Sequence, residues 1–288
     1  MIDTIIPSEY IQNYRKQTFF LRPELRLKSQ EMALDFINQR DIIAFWPISS
    51  IPVPSLWAAT AGDRPVPNDH DDPGHVTWAW KDNLLCQDHC YYGRILCHRN
   101  FFISLDKLKY LYALSNNYGN YSQDHQNLYE EGRISRIAYL IYDAILHQGP
   151  LDTLGIKRTL NLGGKSGEQV FNQAIGFLQN DFKIMPVGIS HAGGWRYAFI
   201  YDIVARRFPW LAESAGKLKT NEAMKVLILT YLKSVGAATA GNIKSLFRWE
   251  PSALDPILDY LAFIGKLQHV IIAEQHSKYP AYILSDLI

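Results

Sequence analysis

An α+β fold that is mainly helical is what this sequence predicts, and three observations carry the prediction. The stretch Ile134–Arg207 reads as helix, helix, helix and hairpin. The stretch from Asn221 to the C-terminus repeats that order, as a pattern and not residue by residue. Residues 1–115 mix strand-like and helical runs and form a unit of their own. Three helices followed by a two-stranded wing is the winged-helix order. The expected organisation is therefore an N-terminal α+β unit (1–120) followed by tandem winged-helix (helix-turn-helix) domains at 127–215 and 216–288.

Taken in order, residues 1–28 carry Arg15, Lys16, Arg22, Arg26 and Lys28, either a solvated helix face or an arm able to contact phosphates. Leu27–Asn38 is expected to be helical with Met32, Ala33, Phe36 and Ile37 inward, leading into a buried strand at Asp41–Ile48. Ser55, after Pro54, is placed to cap a short helix. Asp63–Gly74 is a polar, proline-rich loop, and the aromatic runs at Thr77–Trp80, Tyr91–Leu96 and Phe101–Ile103 read as strands. Ser104 caps a helix to Leu114, and the polar stretch Asn116–Gln126 marks the main boundary.

In the first winged helix, apolar residues recur at three and four from Ile134 to Leu146, and Gly149-Pro150 stops the run. Leu151–Leu160 is a second helix with Asp152 or Thr153 as cap, and Ser166 is placed to cap a third, Gly167–Asn180. Its apolar face leaves Gln169, Asn172, Gln173 and Gln179 pointing out. Two β-rich runs around His191-Ala-Gly-Gly194 form the wing. In the second copy the helices are Glu222–Ser234, Ala240–Phe247 and Ser252–Phe263, and the wing follows at Leu267–Ala273 and Tyr279–Leu284.

A formal charge of +1 excludes a general nucleic-acid coat, so binding of that kind has to rest on local charge. No apolar run reaches the roughly 18 residues of a membrane span, and the start lacks a basic region followed by an apolar one. With three cysteines, an odd number, a reducing compartment fits better than a disulfide framework, and a cytoplasmic location is expected.

Several phrases carry a resemblance: Trp46-Pro-Ile48, Pro54-Ser-Leu-Trp57, His70-Asp-Asp-Pro73, Trp78-Ala-Trp-Lys-Asp82, Tyr92-Gly-Arg94, and Leu178-Gln-Asn-Asp-Phe-Lys-Ile184 before Val187-Gly-Ile189. Together with the order of a mixed unit and two winged helices, they resemble the winged-helix DNA glycosylases of the AlkZ and YcaQ type, and in particular shorter AlkZ-related members. The resemblance implies recognition of alkylated or crosslinked double-stranded DNA and hydrolysis of the N-glycosidic bond of modified purines by a monofunctional glycosylase. The family's signature, Gln, an apolar residue, then Gln or Asp, is nearest to Gln39-Arg40-Asp41, with Arg40 in the apolar place. There Asp41 would stabilise the sugar cation and Gln39 would orient water; an alkylated purine leaves as a cation and needs no strong acid. The alternative class is a non-catalytic winged-helix regulator or protein-interaction scaffold.

A rival site lies in the loop. Asp71 and Asp72, flanked by His70 and His75 and followed by Trp78, Trp80, Lys81 and Asp82, offer acids beside a base-stacking pocket; Asp72-Pro-Gly74 is equally turn chemistry. Cys86, His89, Cys90, Cys97 and His98 lack the paired spacing of a zinc site, and Gly163-Gly-Lys-Ser166 lacks the first glycine of a phosphate loop, so no metal or cofactor is expected. On the third helix Gln169, Asn172 and Gln173 suit bidentate contacts to adenine in the major groove. That helix carries only Lys165 before its cap and no cation on its face, so phosphate contacts would come from Lys165, Lys183, Arg196, Arg206 and Arg207. An uncharged face also suits a protein partner. The chain is expected to act as a monomer.

Overall fold

The computed structural model describes residues 4–69, 71–191, 197–273 and 280–288. In chain order the elements are β1 (Thr4–Ile6), α1 (Ser8–Thr18), α2 (Gln30–Arg40), β2 (Ile42–Ala44), α3 (Leu56–Ala61), α4 (Val76–Leu85), β3 (Cys90–Leu96), β4 (Arg99–Ser104), α5 (Leu105–Tyr112), α6 (Asp124–Glu130), α7 (Arg136–Gln148), β5 (Leu151–Asp152), α8 (Thr153–Thr159), α9 (Gly164–Asn180), β6 (Ile184–Ser190), β7 (Ala198–Ile203), α10 (Val204–Arg207), α11 (Leu211–Gly216), α12 (Thr220–Val235), β8 (Ala237–Thr239), α13 (Ala240–Phe247), α14 (Pro251–Phe263), β9 (Leu267–Ile272) and β10 (Ala281–Leu284). The fold is mixed α+β and mainly helical, with winged-helix-like units. Two compact units form, one from 81–100 and 105–220, the other from 1–80, 101–104 and 221–288.

The unit of 81–100 and 105–220 holds the first winged helix. The Ser135 hydroxyl accepts the Ala138 N–H to start α7, and Gly149, at φ 85°, ends it in a conformation that side chains disfavour. Asp152 caps α8 by accepting the Gly155 N–H at 2.6 Å. The residues just before it, expected to be helical, instead form the short strand β5, which pairs with β7 in a sheet of order β5-β7-β6. That pairing satisfies backbone groups a helix start would leave open. The helix α9 begins at Gly164, three residues before the expected start, so Ser166 is inside it and no side chain caps it. Ile141, Tyr142 and Ile145 of α7 meet Ile156, Phe171, Ile175, Leu178 and Tyr201 in the core. The α9 face expected to be apolar, Val170 to Leu178, leaves Val170 and Phe177 41% and 39% exposed, and Gln179, expected to point out, is buried.

Beside that core sits His125, 3% exposed and stacked between Tyr139 and Tyr142, with ring centroids 5.2 and 4.7 Å away. Its Nδ1 is buried without a partner among the described residues. Burial holds its pKa below the usual histidine value, against the pull of the Asp143 carboxylate. The unfolded chain therefore binds the proton more readily, so His125's contribution is complete above about pH 6.5 and is lost as pH falls toward the depressed folded value. Denaturation midpoints should drop between about pH 7 and pH 5, and His125→Phe should flatten that slope; an unchanged slope would exclude His125 as its source.

The other unit holds the second winged helix. Thr239 and Asn242 cap α13 reciprocally, and the sheet runs β1-β9-β10-β8. The N-terminal segment is part of this sheet. β1 lies parallel to β9, with Thr4 opposite Val270 and Ile6 opposite Ile272. Arg15 then donates to the carbonyl of Val235, which the end of α12 leaves open, and to that of Ala237 at the start of β8, at 2.9 and 2.8 Å. One of the arm's cations is thus committed to tying α1 to the α12–β8 junction.

One strand expectation is overturned. Thr77–Trp80 belongs to the helix α4. Thr77, Trp80, Lys81, Leu84 and Leu85 are its buried positions, three, four, seven and eight residues from the first, so the aromatic alternation masked a helical period. The Ser55 cap is as expected, accepting the Ala58 N–H at 3.1 Å. Of the residues expected inward on α2, Ala33, Phe36 and Ile37 are buried, while Met32 is 37% exposed.

Candidate functional site

Gln169, Asn172 and Gln173 project from one face of α9, with Gly176 and Asn180 continuing it. Spacings of three, four and seven place them on a single stripe. This stripe lines a cleft of about 500 Å³ whose opposite side is Arg94 and His98. Arg94 stands on β3, the one exposed residue of a strand otherwise buried. Its backbone N–H donates to the Gln179 side-chain oxygen at 3.1 Å, and its Nε donates to the His98 carbonyl at 2.9 Å. Gly176 faces it, and a Cβ at that position would lie 3.9 Å from the guanidinium, an ordinary van der Waals contact. The cation missing from the helix is supplied by a neighbouring strand. A charged residue inside an apolar strand was the signal available in the sequence.

The acid at the start of α9 is balanced. Lys157 of α8 pairs with Glu168, which also accepts from the Asn172 amide at 3.3 Å. Lys165 is exposed in the first turn. The other named cations stand elsewhere. Lys183 is 2% exposed, donating at 2.7 Å to both the Asn116 carbonyl and the Asn117 side chain, and so presents no ammonium at the surface. Arg206 is paired with Asp202 and donates to the Leu146 carbonyl, while Arg207 is paired with Asp88. Arg196, like His70, lies outside the described residues.

The chain matches the AlkZ-related family model over residues 27–248. It belongs to the AlkZ-related family. No curated protein sequence matches it significantly. Among solved structures it is similar to Streptomyces sahachiroi DNA glycosylase AlkZ, with a TM-score of 0.58 and 14% identity, covering 98% of this chain and 71% of that one. At that identity the likeness establishes the fold.

In this AlkZ-related chain the residues named as catalytic are built into local structure. Gln39 is exposed in the last turn of α2. Asp41 takes φ 66° at the helix end, and its carboxylate accepts the Ser104 hydroxyl at 2.6 Å while its carbonyl accepts the Ser104 N–H at 3.0 Å. It forms the corner between α2 and β2. Asp72 receives both Arg64 Nη groups, at 2.9 and 2.6 Å, and caps the turn at Gly74. The guanidinium holds its carboxyl below the usual range. Asp71 is exposed beside it, its N–H donating to Asp69.

The proposed base pocket is redistributed. Trp78 and Trp80 are two residues apart on a helix, so their side chains diverge by about 200°. Trp78, 38% exposed, joins Phe45 and Trp46 at centroid distances of 5.4 and 5.9 Å, and Trp46 in turn meets Trp57 at 5.3 Å. Trp80 is buried. Lys81 is buried too, donating to Asp82 and to the Tyr197 hydroxyl among the rings of Tyr197 and Phe199. Burial pushes its pKa down, partly offset by Asp82. Trp46, which meets Trp78, and Trp57, which meets Trp46, complete the cluster, and nothing in linear spacing joins them.

Proposed function

We propose that the protein binds double-stranded DNA through the amide stripe of α9. The observation that supports this most directly is the shared cleft of Gln169, Asn172, Gln173 and Arg94. Amides suit the adenine edge, a guanidinium suits guanine or a phosphate, and Lys165 near the start of α9 adds a phosphate contact where the helix dipole already favours an anion. AlkZ is a DNA glycosylase by name, which makes alkylated or crosslinked DNA the first substrate to try. Excision would engage Gln39 and Asp41.

A fluorescent duplex titrated at several salt concentrations, alkylated beside undamaged, tests the reading. Affinity should fall with salt at a slope of about −0.9 per phosphate neutralised. Absence of binding at low salt would remove DNA as the ligand. In parallel, free purine released by the wild type and abolished in Asp41→Asn, with duplex affinity unchanged, would assign excision to Asp41. Equal release, or none, would leave Asp41 as the α2–β2 corner.

A further inference from the structure

The third helix of the second winged helix, α14, occupies the place that α9 holds in the first, yet its outward chemistry is opposite. Its sequence contains no Lys or Arg. Asp255, Asp259 and Phe263, four residues apart, run along one exposed stripe. Among the described residues neither aspartate has an ion-pair partner. Phe263 is 90% exposed, and Tyr260 and Ile264 beside it are 45% and 44% exposed. A groove of about 580 Å³ opens at the other end of the helix, floored by Pro251, Leu254, Pro280 and Tyr282 and edged by Asp255 and by Lys244 of α13. The two ends lie about 12 Å apart along the helix axis, the reach of a few helical turns.

Two carboxylates on the outward stripe, without ion-pair partners among the described residues, repel a phosphate backbone, so this helix is unsuited to the DNA role proposed for α9. An aromatic ring left in water about two helical turns from an open apolar groove, on the same helix, is the composition of a protein-docking surface. We infer that α14 and its groove bind a cationic amphipathic segment of a partner protein. Its Lys or Arg side chains would meet Asp255 and Asp259, and its apolar side chains would cover Phe263 and fill the groove. The two winged helices would then divide the work between DNA and a protein.

The test uses the full chain and a phage-displayed library of random peptides of about 12 residues, selected on the wild type and counter-selected on an Asp255→Lys/Asp259→Lys variant. The enriched peptides should combine basic and aliphatic residues. A synthetic consensus peptide should bind the wild type, lose most of its affinity for the double variant, and lose several-fold for Phe263→Ala. These side chains are exposed, so circular dichroism should show each variant folded, and duplex affinity of Phe263→Ala should stay at wild type. No enrichment, an acidic consensus, or binding that survives the substitutions would overturn the inference. So would self-association abolished by Phe263→Ala, which would give the face to a second copy, or loss of duplex binding in that variant, which would give it to DNA.

Discussion

Replacing Gln169, Gln173 and Arg94 together by Ala should weaken duplex binding by on the order of a hundredfold. A well-placed side-chain contact to a base edge contributes about 1–3 kcal/mol, and 1.4 kcal/mol is tenfold, so three contacts at the low end reach that figure. The single changes should differ in kind. Arg94→Ala should lower the salt slope by about one if the guanidinium meets a phosphate. Gln169→Ala and Gln173→Ala should leave the slope alone and relax base preference. All three side chains are exposed, so stability should move by less than about 0.5 kcal/mol. Lys183→Ala is the contrasting control: its ammonium is buried among Asn116, Asn117 and Asp181, so it should unfold the region before it changes DNA contacts. If the triple variant binds duplex like the wild type, α9 is not the reading helix.

Trp57→Ala should cost about 3–5 kcal/mol, the range for deleting a buried aromatic side chain. Trp57 is fully buried, with the Trp46 and His75 rings at 5.3 and 5.4 Å and the Arg64 guanidinium 4.9 Å from its centroid. Its indole N–H donates to the Arg64 carbonyl at 3.1 Å, and Arg64 in turn holds Asp72. The ring therefore fastens the 63–75 loop to α3. The loop is fitted to it: a Cβ on Gly74 would come 2.7 Å from the indole, so Gly74→Val should destabilise the same region. Against a total of about 5–15 kcal/mol, the Trp57→Ala loss is a large share of stability. Urea unfolding followed by far-ultraviolet circular dichroism measures it without relying on the deleted fluorophore. A change under about 1 kcal/mol would mean that the loop holds without the ring.

Much of the local structure was legible in the residues. Periodicity at three and four marked α7, α12 and α14, Gly149-Pro150 ended α7, and Ser55 and Asp152 served as caps, because each of these depends on neighbours a few residues away. The α4 helix was read as a strand because Trp78 and Trp80 alternate; only the packing shows that Thr77, Lys81 and Leu84 are the positions sharing Trp80's buried face. The amide stripe of α9 was legible for the same reason of helical spacing, whereas its cation was not, since Arg94 is brought in from 75 residues before Gln169.

The sequence by itself determined the winged-helix order, the Ser55, Ser135 and Asp152 caps, most of the core faces and the outward amides Gln169, Asn172 and Gln173, all set by backbone propensity and short-range burial. Only the tertiary structure decided which charges are available. It buries Lys81 and Lys183, spends Arg15 on the carbonyls at the α12–β8 junction, pairs Arg206 and Arg207, and leaves Arg94 lining the cleft and Asp255 and Asp259 without ion-pair partners among the described residues. The physical reason is that a charge is either solvated or compensated, and its compensating partner can come from any distance along the chain.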